Sequence, residues 1–198
     1  MNNQTKVTGV ILAGGLARRM QNRDKGLVYF RDRPMVSYAI NAIAPVCDQL
    51  IINANRNIDS YRNFGFPVIA DQSENFDGPL AGILTAMIYA GQGLLLATPC
   101  DSPFLKARHL QKLLRVRAEN DADVAVAFDG ARLHPVFLAV KIELKDGLQR
   151  YLDSGQRKLE TWLQQQKLVT ADFSEEPELF INLNTMDELT DWEKSGKK

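Results

Sequence analysis

Short apolar runs alternate along this chain with longer stretches whose apolar residues recur at helical spacing. No other feature limits the fold as much. "VTGVILA" reads as a buried strand from its β-branched content. "PMVSYAINAIAPVC" follows as a helix, with Val36, Ala39, Ile40, Ile43 and Cys47 on one stripe and Pro34 suited to its first turn. "QLIINAN" and "FPVIAD" read as two further strands, "PLAGILTAMIYAG" as a helix ending at Gly91, and "GLLLATPCDSP" as a strand running into a loop. "KARHLQKLLRVRAEN" is an amphipathic helix with Leu110, Leu113 and Leu114 inward and His109 on its charged surface. "ADVAVAF" and "HPVFLAV" are strands around the turn "DGAR". "KIELKDGLQRYLDSG" and "RKLETWLQQQ" are helices, and "LVTADF" is a strand. In the closing "FINLNTMDELTDWEKS", Thr185 and Glu188 have capping-box spacing. Such alternation predicts the α/β class, with a mostly parallel sheet between two helical layers. No repeat or linker divides residues 1–198, so the chain reads as a single three-layer αβα domain, with residues 194–198 a disordered tail.

Composition removes several function classes. Lys plus Arg equals Asp plus Glu at 24 each, so the formal net charge is zero. A general nucleic-acid coat or membrane-surface binder needs a basic excess. No apolar run approaches the roughly 20 residues a spanning helix requires. Cys47 and Cys100 form no CxxC, and with no signal peptide evident the chain is expected in the reducing cytoplasm. No heptad pattern stands out, and a monomer is the expected state.

The first strand ends in "LAGGLARRMQNRDKGL". Ligands of open α/β sheets bind outside the carboxyl ends of the strands. Gly14 and Gly15 stand where backbone must turn sharply or approach a ligand closely. Exposed N–H groups in such a turn form an anion-binding concavity. Arg18, Arg19, Arg23 and Lys25 add cations to the same loop, and the simplest ligand is a polyphosphate. Neither the Walker A string GxxxxGK[ST] nor the dinucleotide fingerprint GxGxxG occurs here, so this is a phosphate loop of another kind. A plain βα turn with solvated cations is the competing reading.

The stretch resembles the signature LAGGxxxRMGxDK of nucleotidyltransferases with the glycosyltransferase-A-like fold. From about Val7 to Trp192 the chain is similar to the molybdenum cofactor guanylyltransferase (MobA) family. "NAN" at 53–55, Asp71 after the third strand, "GPLAGI" at 78–83, "PCDSP" at 99–103 and "FINLNTMDEL" at 180–189 carry the likeness further. The resemblance implies a Rossmann-like sheet of the nucleotide-diphospho-sugar transferase type. It also implies transfer of GMP from GTP to the terminal phosphate of molybdopterin, with release of pyrophosphate. Leu12, Ala13 and Gly14 would then meet the guanine and ribose with backbone. Gly15, Arg19 and Lys25 would hold the triphosphate. Asn53 and Asp71 would hold and select the guanosine, and Asp101 would bind Mg²⁺. Arg19, Lys25 and Asp101 are the expected catalytic residues. Gly78, Gly82, Arg157, Lys158, Asn182 and Asn184 would lie toward the pterin substrate. Transient contacts with molybdenum insertion factors and apo-molybdoenzymes are implied as well. The chain departs from the signature at Gln21, where the family has Gly, and Asn22 follows.

The residues keep plainer readings open. Asp101 could cap the turn before Pro103, Asn53 could end a strand, Asp71 could form an Asx turn, and Asn182 and Asn184 could line a solvated strand face. Arg157 and Lys158 could be a helix-start surface pair. Cys100 reads as a packed small residue, and His134, before Pro135, as mainly structural. A cytidylyltransferase or sugar-1-phosphate nucleotidyltransferase is the alternative enzyme. A non-catalytic nucleotide-binding partner is the alternative outside enzymes.

Overall fold

The computed structural model describes residues 5–15, 24–71, 78–181, 188 and 192. Seven strands form the main sheet: β1 (Val7–Leu12), β4 (Gln49–Asn53), β5 (Val68–Ile69), β6 (Leu94–Pro99), β7 (Val124–Phe128), β8 (Leu133–Lys141) and β9 (Leu168–Asp172). Their order is β5-β4-β1-β6-β8-β7-β9. All neighbouring pairs are parallel except those made by β8, which runs antiparallel to both β6 and β7. The α/β class and mostly parallel sheet expected from the alternation are therefore present.

Parallel strands covered on both faces must be apolar on both faces. Val10 and Ile11 of β1 are both fully buried, and all six residues of β6 are buried. Ile11, Ile52 and Leu96 point into one layer, packed with the helices α1 (Met35–Ile43) and α4 (Ala107–Glu119). Val10, Ile51, Leu95 and Ala97 point into the other, against α3 (Pro79–Ala90), α5 (Lys145–Asp153) and α6 (Leu159–Leu163). Val36, Ala39 and Ile43 of α1 face the core as expected. The helix ends before Cys47, because Pro45 sits in a 3-10 turn at residues 44–46. α3 ends at Gly91, whose φ of 78° is the left-handed stop a glycine permits.

Several local features differ from the sequence reading, among them the short helix at Ile58–Arg62, which the periodicity did not reveal. A two-stranded hairpin, β2 (Tyr29–Phe30) with β3 (Arg33–Pro34), precedes α1; its tip places Arg31 and Asp32 in left-handed backbone without the Asn-Gly pair that marks most such turns. The segment read as a helix from Lys141 begins with a 3-10 turn at Ile142–Leu144 and becomes α-helical only at Lys145. His109 is not on the surface: it is 4% exposed. Its Nδ1 accepts the Lys106 N–H at 3.0 Å, and its Nε2 lies 3.1 Å from Glu176 Oε2. The ring turns inward because it closes the first turn of α4 and packs edge-on against Phe173. His134 is structural, as read: it meets Asp129 Oδ2 at 2.6 Å and stacks on Phe180 at 3.7 Å.

Candidate active site

The chain passes from β1 outward to β4 and β5 on one side, then returns to β6 on the other, so a crevice opens at the carboxyl ends of β1, β4 and β6. A cleft of about 360 Å³ lies there. Its walls bring together Leu12, Ala13, Gly14, Gly15, Lys25, Asn53, Asp71, Gly78 and Asp101, all expected site residues. Arg19, Asn182 and Asn184 lie outside the described residues, as do Arg18, Arg23, Gln21, Asn22, Thr185 and residues 194–198.

The strand ends are tied to one another around the cleft. The Ala13 N–H donates to the Asn53 carbonyl at 2.8 Å, and the Cys100 N–H to the Leu12 carbonyl at 3.2 Å. Gly14 has no room for a side chain to spare: a Cβ there would stand 3.1 Å from Asn55 Nδ2. A Cβ on Gly15 would meet nothing within 4 Å, so this glycine borders open space. Arg56 donates to the Gly15 carbonyl at 3.0 Å and fixes that turn from β4's side.

Among the described residues three carboxylates line the cleft, and each is engaged. Asp101, at the end of β6, meets Lys25 Nζ at 3.1 Å through Oδ2. Asp71 accepts Asn53 Nδ2 through Oδ1 and Asn55 Nδ2 through Oδ2, both at 2.8 Å, while its own N–H donates to Asn55 Oδ1. Asp24 accepts Tyr61 Oη at 2.5 Å and Asn57 Nδ2 at 3.1 Å. An unengaged carboxylate would repel an anionic ligand; these are held by donors and by one cation.

Gly82 and Arg157 do not line the cleft. Gly82 lies behind it in α3, where a Cβ would collide with the Asn53 side chain. Arg157 donates to the carbonyls of Leu152 and Gln156 just past α5. Asn55, Asp24, Pro79 and Val136 line the cleft and were not singled out. Asn55 was legible in "NAN", which repeats the amide of Asn53 on the same side of the strand. Val136 was not. It enters through a bulge between β7 and β8, where the register steps from Val126–Leu138 to Ala127–His134. Pro135 occupies that bulge, where its missing N–H costs no ladder bond.

Cys100 also lines the cleft, but burial, then the charges of Asp101 and Asp24, push its thiol far above the ordinary range. A thiol kept protonated is a poor nucleophile, which agrees with the packing role read for it.

Among the described residues no cluster of three or more His, Cys, Asp or Glu could hold a metal ion. Asp101 still fits one kind of ion. It presents a hard carboxylate oxygen on the wall of the cleft, and Mg²⁺ commonly takes one or two carboxylates with the rest of its shell from phosphates and water.

Residues 9–170 match the family model described as the MobA-like NTP transferase domain. A molybdenum cofactor guanylyltransferase from Shewanella loihica is 44% identical over 180 residues, covering 91% of this chain and 92% of that one. One from Shewanella sediminis matches with the same identity and coverage. Among solved structures, the molybdopterin-guanine dinucleotide biosynthesis protein A of Archaeoglobus fulgidus shares the fold with a TM-score of 0.78 at 21% identity, covering 95% of this chain and 97% of that chain. With its glycine turn, Lys25 and Asp101 inside the matched segment, the chain belongs to the MobA-like NTP transferase family.

Proposed function

We propose that this chain is a molybdenum cofactor guanylyltransferase, which joins GMP from GTP to the terminal phosphate of molybdopterin and releases pyrophosphate. One observation carries the reading: the Gly14–Gly15 turn, Lys25 and Asp101 converge in a single cleft at the strand ends.

In this reaction a terminal phosphate oxygen of molybdopterin attacks the α-phosphorus of GTP. The bond from that phosphorus to the bridging oxygen breaks, and the bridging electron pair leaves with pyrophosphate. No protein nucleophile is needed, so the enzyme's task is alignment and charge neutralisation. Lys25 and the amides of the Gly14–Gly15 turn meet the triphosphate, joined by Arg19 as the third anion-binding group. Lys25 stabilises the charge that grows on the leaving pyrophosphate. Leu12 and Ala13 offer backbone to the ribose and base, and the Asn53–Asp71 pair selects the guanosine. Gly78, at the start of α3, together with Asn182, Asn184 and Arg157, is assigned to the pterin side. Gly82, expected toward the pterin, serves the guanosine side instead and only indirectly, by making room for Asn53. Asp101 would hold a Mg²⁺ ion, which would supply Lewis-acid polarisation of the phosphoryl oxygens and lower the repulsion between the two anionic reactants.

No helix among the described residues is long and apolar enough to cross a membrane. Cys47 and Cys100 are free thiols. The free thiols are compatible with a reducing cytoplasm; a monomer that meets insertion factors and apo-molybdoenzymes transiently is part of the same proposal.

The test is pyrophosphate release from purified protein, Mg²⁺ and molybdopterin, comparing GTP with CTP, ATP and UTP. Release with GTP alone, lost on omitting molybdopterin or Mg²⁺, is expected. Release with CTP instead moves the chain to the cytidylyltransferases, and release only with a sugar 1-phosphate as acceptor overturns the molybdopterin assignment.

A further inference from the structure

Asp24 is the least expected group in the cleft. It is an acid, it precedes the lysine assigned to the triphosphate, and it lines the space a polyanion would fill. Its surroundings explain how such a site tolerates it. One carboxylate oxygen accepts the Tyr61 hydroxyl at 2.5 Å, and the other accepts the Asn57 side-chain amide at 3.1 Å. Both donors come from α2 (Ile58–Arg62) and the residue that caps it, which is a different part of the chain from the loop they hold.

The anchor is built into the core. Tyr61 is fully buried and packs with Ile52, Ala54 and Leu105. Burial above all drives its hydroxyl far above the ordinary tyrosine range, with the Asp24 carboxylate adding to the effect, so it remains a donor. A Cβ on Gly26 would collide with that same hydroxyl and stand 3.3 Å from Cys100. Gly26 is thus the residue that lets the 3-10 turn Lys25–Leu27 sit directly on Tyr61. Asn57 holds φ of 50°, a left-handed conformation that asparagine adopts more readily than most residues, and this turns its amide toward Asp24. The Asp24 carbonyl in turn accepts the N–H groups of Leu27 at 3.0 Å and Val28 at 3.2 Å, closing the turn that carries Lys25.

We infer that Tyr61, assisted by Asn57, is a positioning residue for phosphoryl transfer: by holding Asp24 it fixes the turn that delivers Lys25 to Asp101 and to the triphosphate. This rests on the reading that Lys25 meets the triphosphate. The side chain is too deep to touch substrate, so it acts through Lys25. A misplaced group of this kind costs rate far out of proportion to its displacement.

The experiment is a double-mutant cycle on pyrophosphate release, with Tyr61→Phe, Lys25→Ala and the pair, alongside thermal melts of each. Tyr61→Phe is expected to lower kcat/KM about tenfold in the wild-type background and less than about twofold in the Lys25→Ala background, because a residue that acts through Lys25 loses its effect when Lys25 is gone. Asn57→Gly removes the second donor without touching the core and keeps the backbone freedom at that position; it is expected to lower kcat/KM about threefold with the same dependence on Lys25. Equal losses in both backgrounds, or a fall in melting temperature with unchanged kcat/KM, overturn the inference while leaving the role of Lys25 intact. Wild-type rates for Lys25→Ala overturn the role of Lys25 itself, and this inference with it. If Tyr61→Phe does not fold, the Asn57→Gly cycle decides by the same criteria.

Discussion

Lys25 Nζ lies 3.1 Å from Asp101 Oδ2, and this contact joins the turn after the glycine loop to the end of β6, across 76 residues of sequence. The two side chains are 28% and 10% exposed, so the pair is partly desolvated but still reached by solvent. A contact of this kind contributes little to stability. It places a cation and the carboxylate proposed to hold the metal at one point, where a phosphate could meet both.

Removing either member should therefore damage turnover much more than folding. Asp101→Ala is expected to reduce pyrophosphate release at least about 100-fold, and Lys25→Ala by a similar factor, as when a preorganised charge is lost from a transition-state site. Melting temperatures should stay within a few degrees of wild type. Near wild-type release from Asp101→Ala would remove Asp101 from the metal assignment.

The Asp71 clamp should govern nucleotide affinity. Asn53 is 2% exposed and depends on Asp71 Oδ1 and the Ile69 carbonyl as acceptors for its amide. Asp71→Ala removes the shared acceptor of both asparagines, leaving the buried Asn53 amide one long bond. The expected cost is about 1–3 kcal/mol of stability. KM for GTP should rise about tenfold with a smaller change in kcat, the signature of lost uniform binding. Urea denaturation and initial rates over a GTP series check both parts.

Gly82 tests whether Asn53 must lie flat on α3. An added Cβ would stand 3.0 Å from both Asn53 Cγ and Leu12 Cδ2, in a region with no spare volume. Gly82→Ala is expected to cost about 1–3 kcal/mol through overpacking. It should raise KM for GTP by displacing Asn53, although Gly82 itself does not face the cleft. A variant with wild-type KM for GTP would show that Asn53 can shift without consequence.

His109 and Glu176 should make stability fall in acid, in two stages. Burial, the leading cause, lowers the His109 pKa below its ordinary 6.5. As pH drops through 6.5 the unfolded chain takes up this proton first, so stability declines below that pH and levels off once the folded histidine also protonates. The hydrogen bond from Arg108 holds the Glu176 carboxyl below its ordinary 4.5, so its contribution is present above that value and is lost as pH falls through the folded pKa. His109→Gln should flatten the first stage and leave the second. Urea midpoints between pH 7 and about pH 3 read the difference.

The layers and the loop follow from local pattern alone. Strand-length β-branched runs such as Val7–Leu12 have few ways to bury both faces, and alternation with amphipathic helices leaves a mostly parallel sheet as the simplest answer. The glycine turn followed by Lys25 was legible because its chemistry is local: bare backbone, then cations. Helix α3 was legible at both ends, from Pro79 and Gly91. Tertiary structure decided whatever depends on residues distant in sequence. It turned His109 inward, because only the fold brings Glu176 and Phe173 to that ring. It made Gly82 a support for Asn53, and it set Tyr61 beneath Asp24, since neither spacing nor periodicity tells a chain which side chain will fill the space a glycine leaves. It brought Val136 into the cleft through a bulge whose register is fixed by pairing between strands. Local propensity acts over a few residues, whereas these relationships are fixed by packing across the whole sheet.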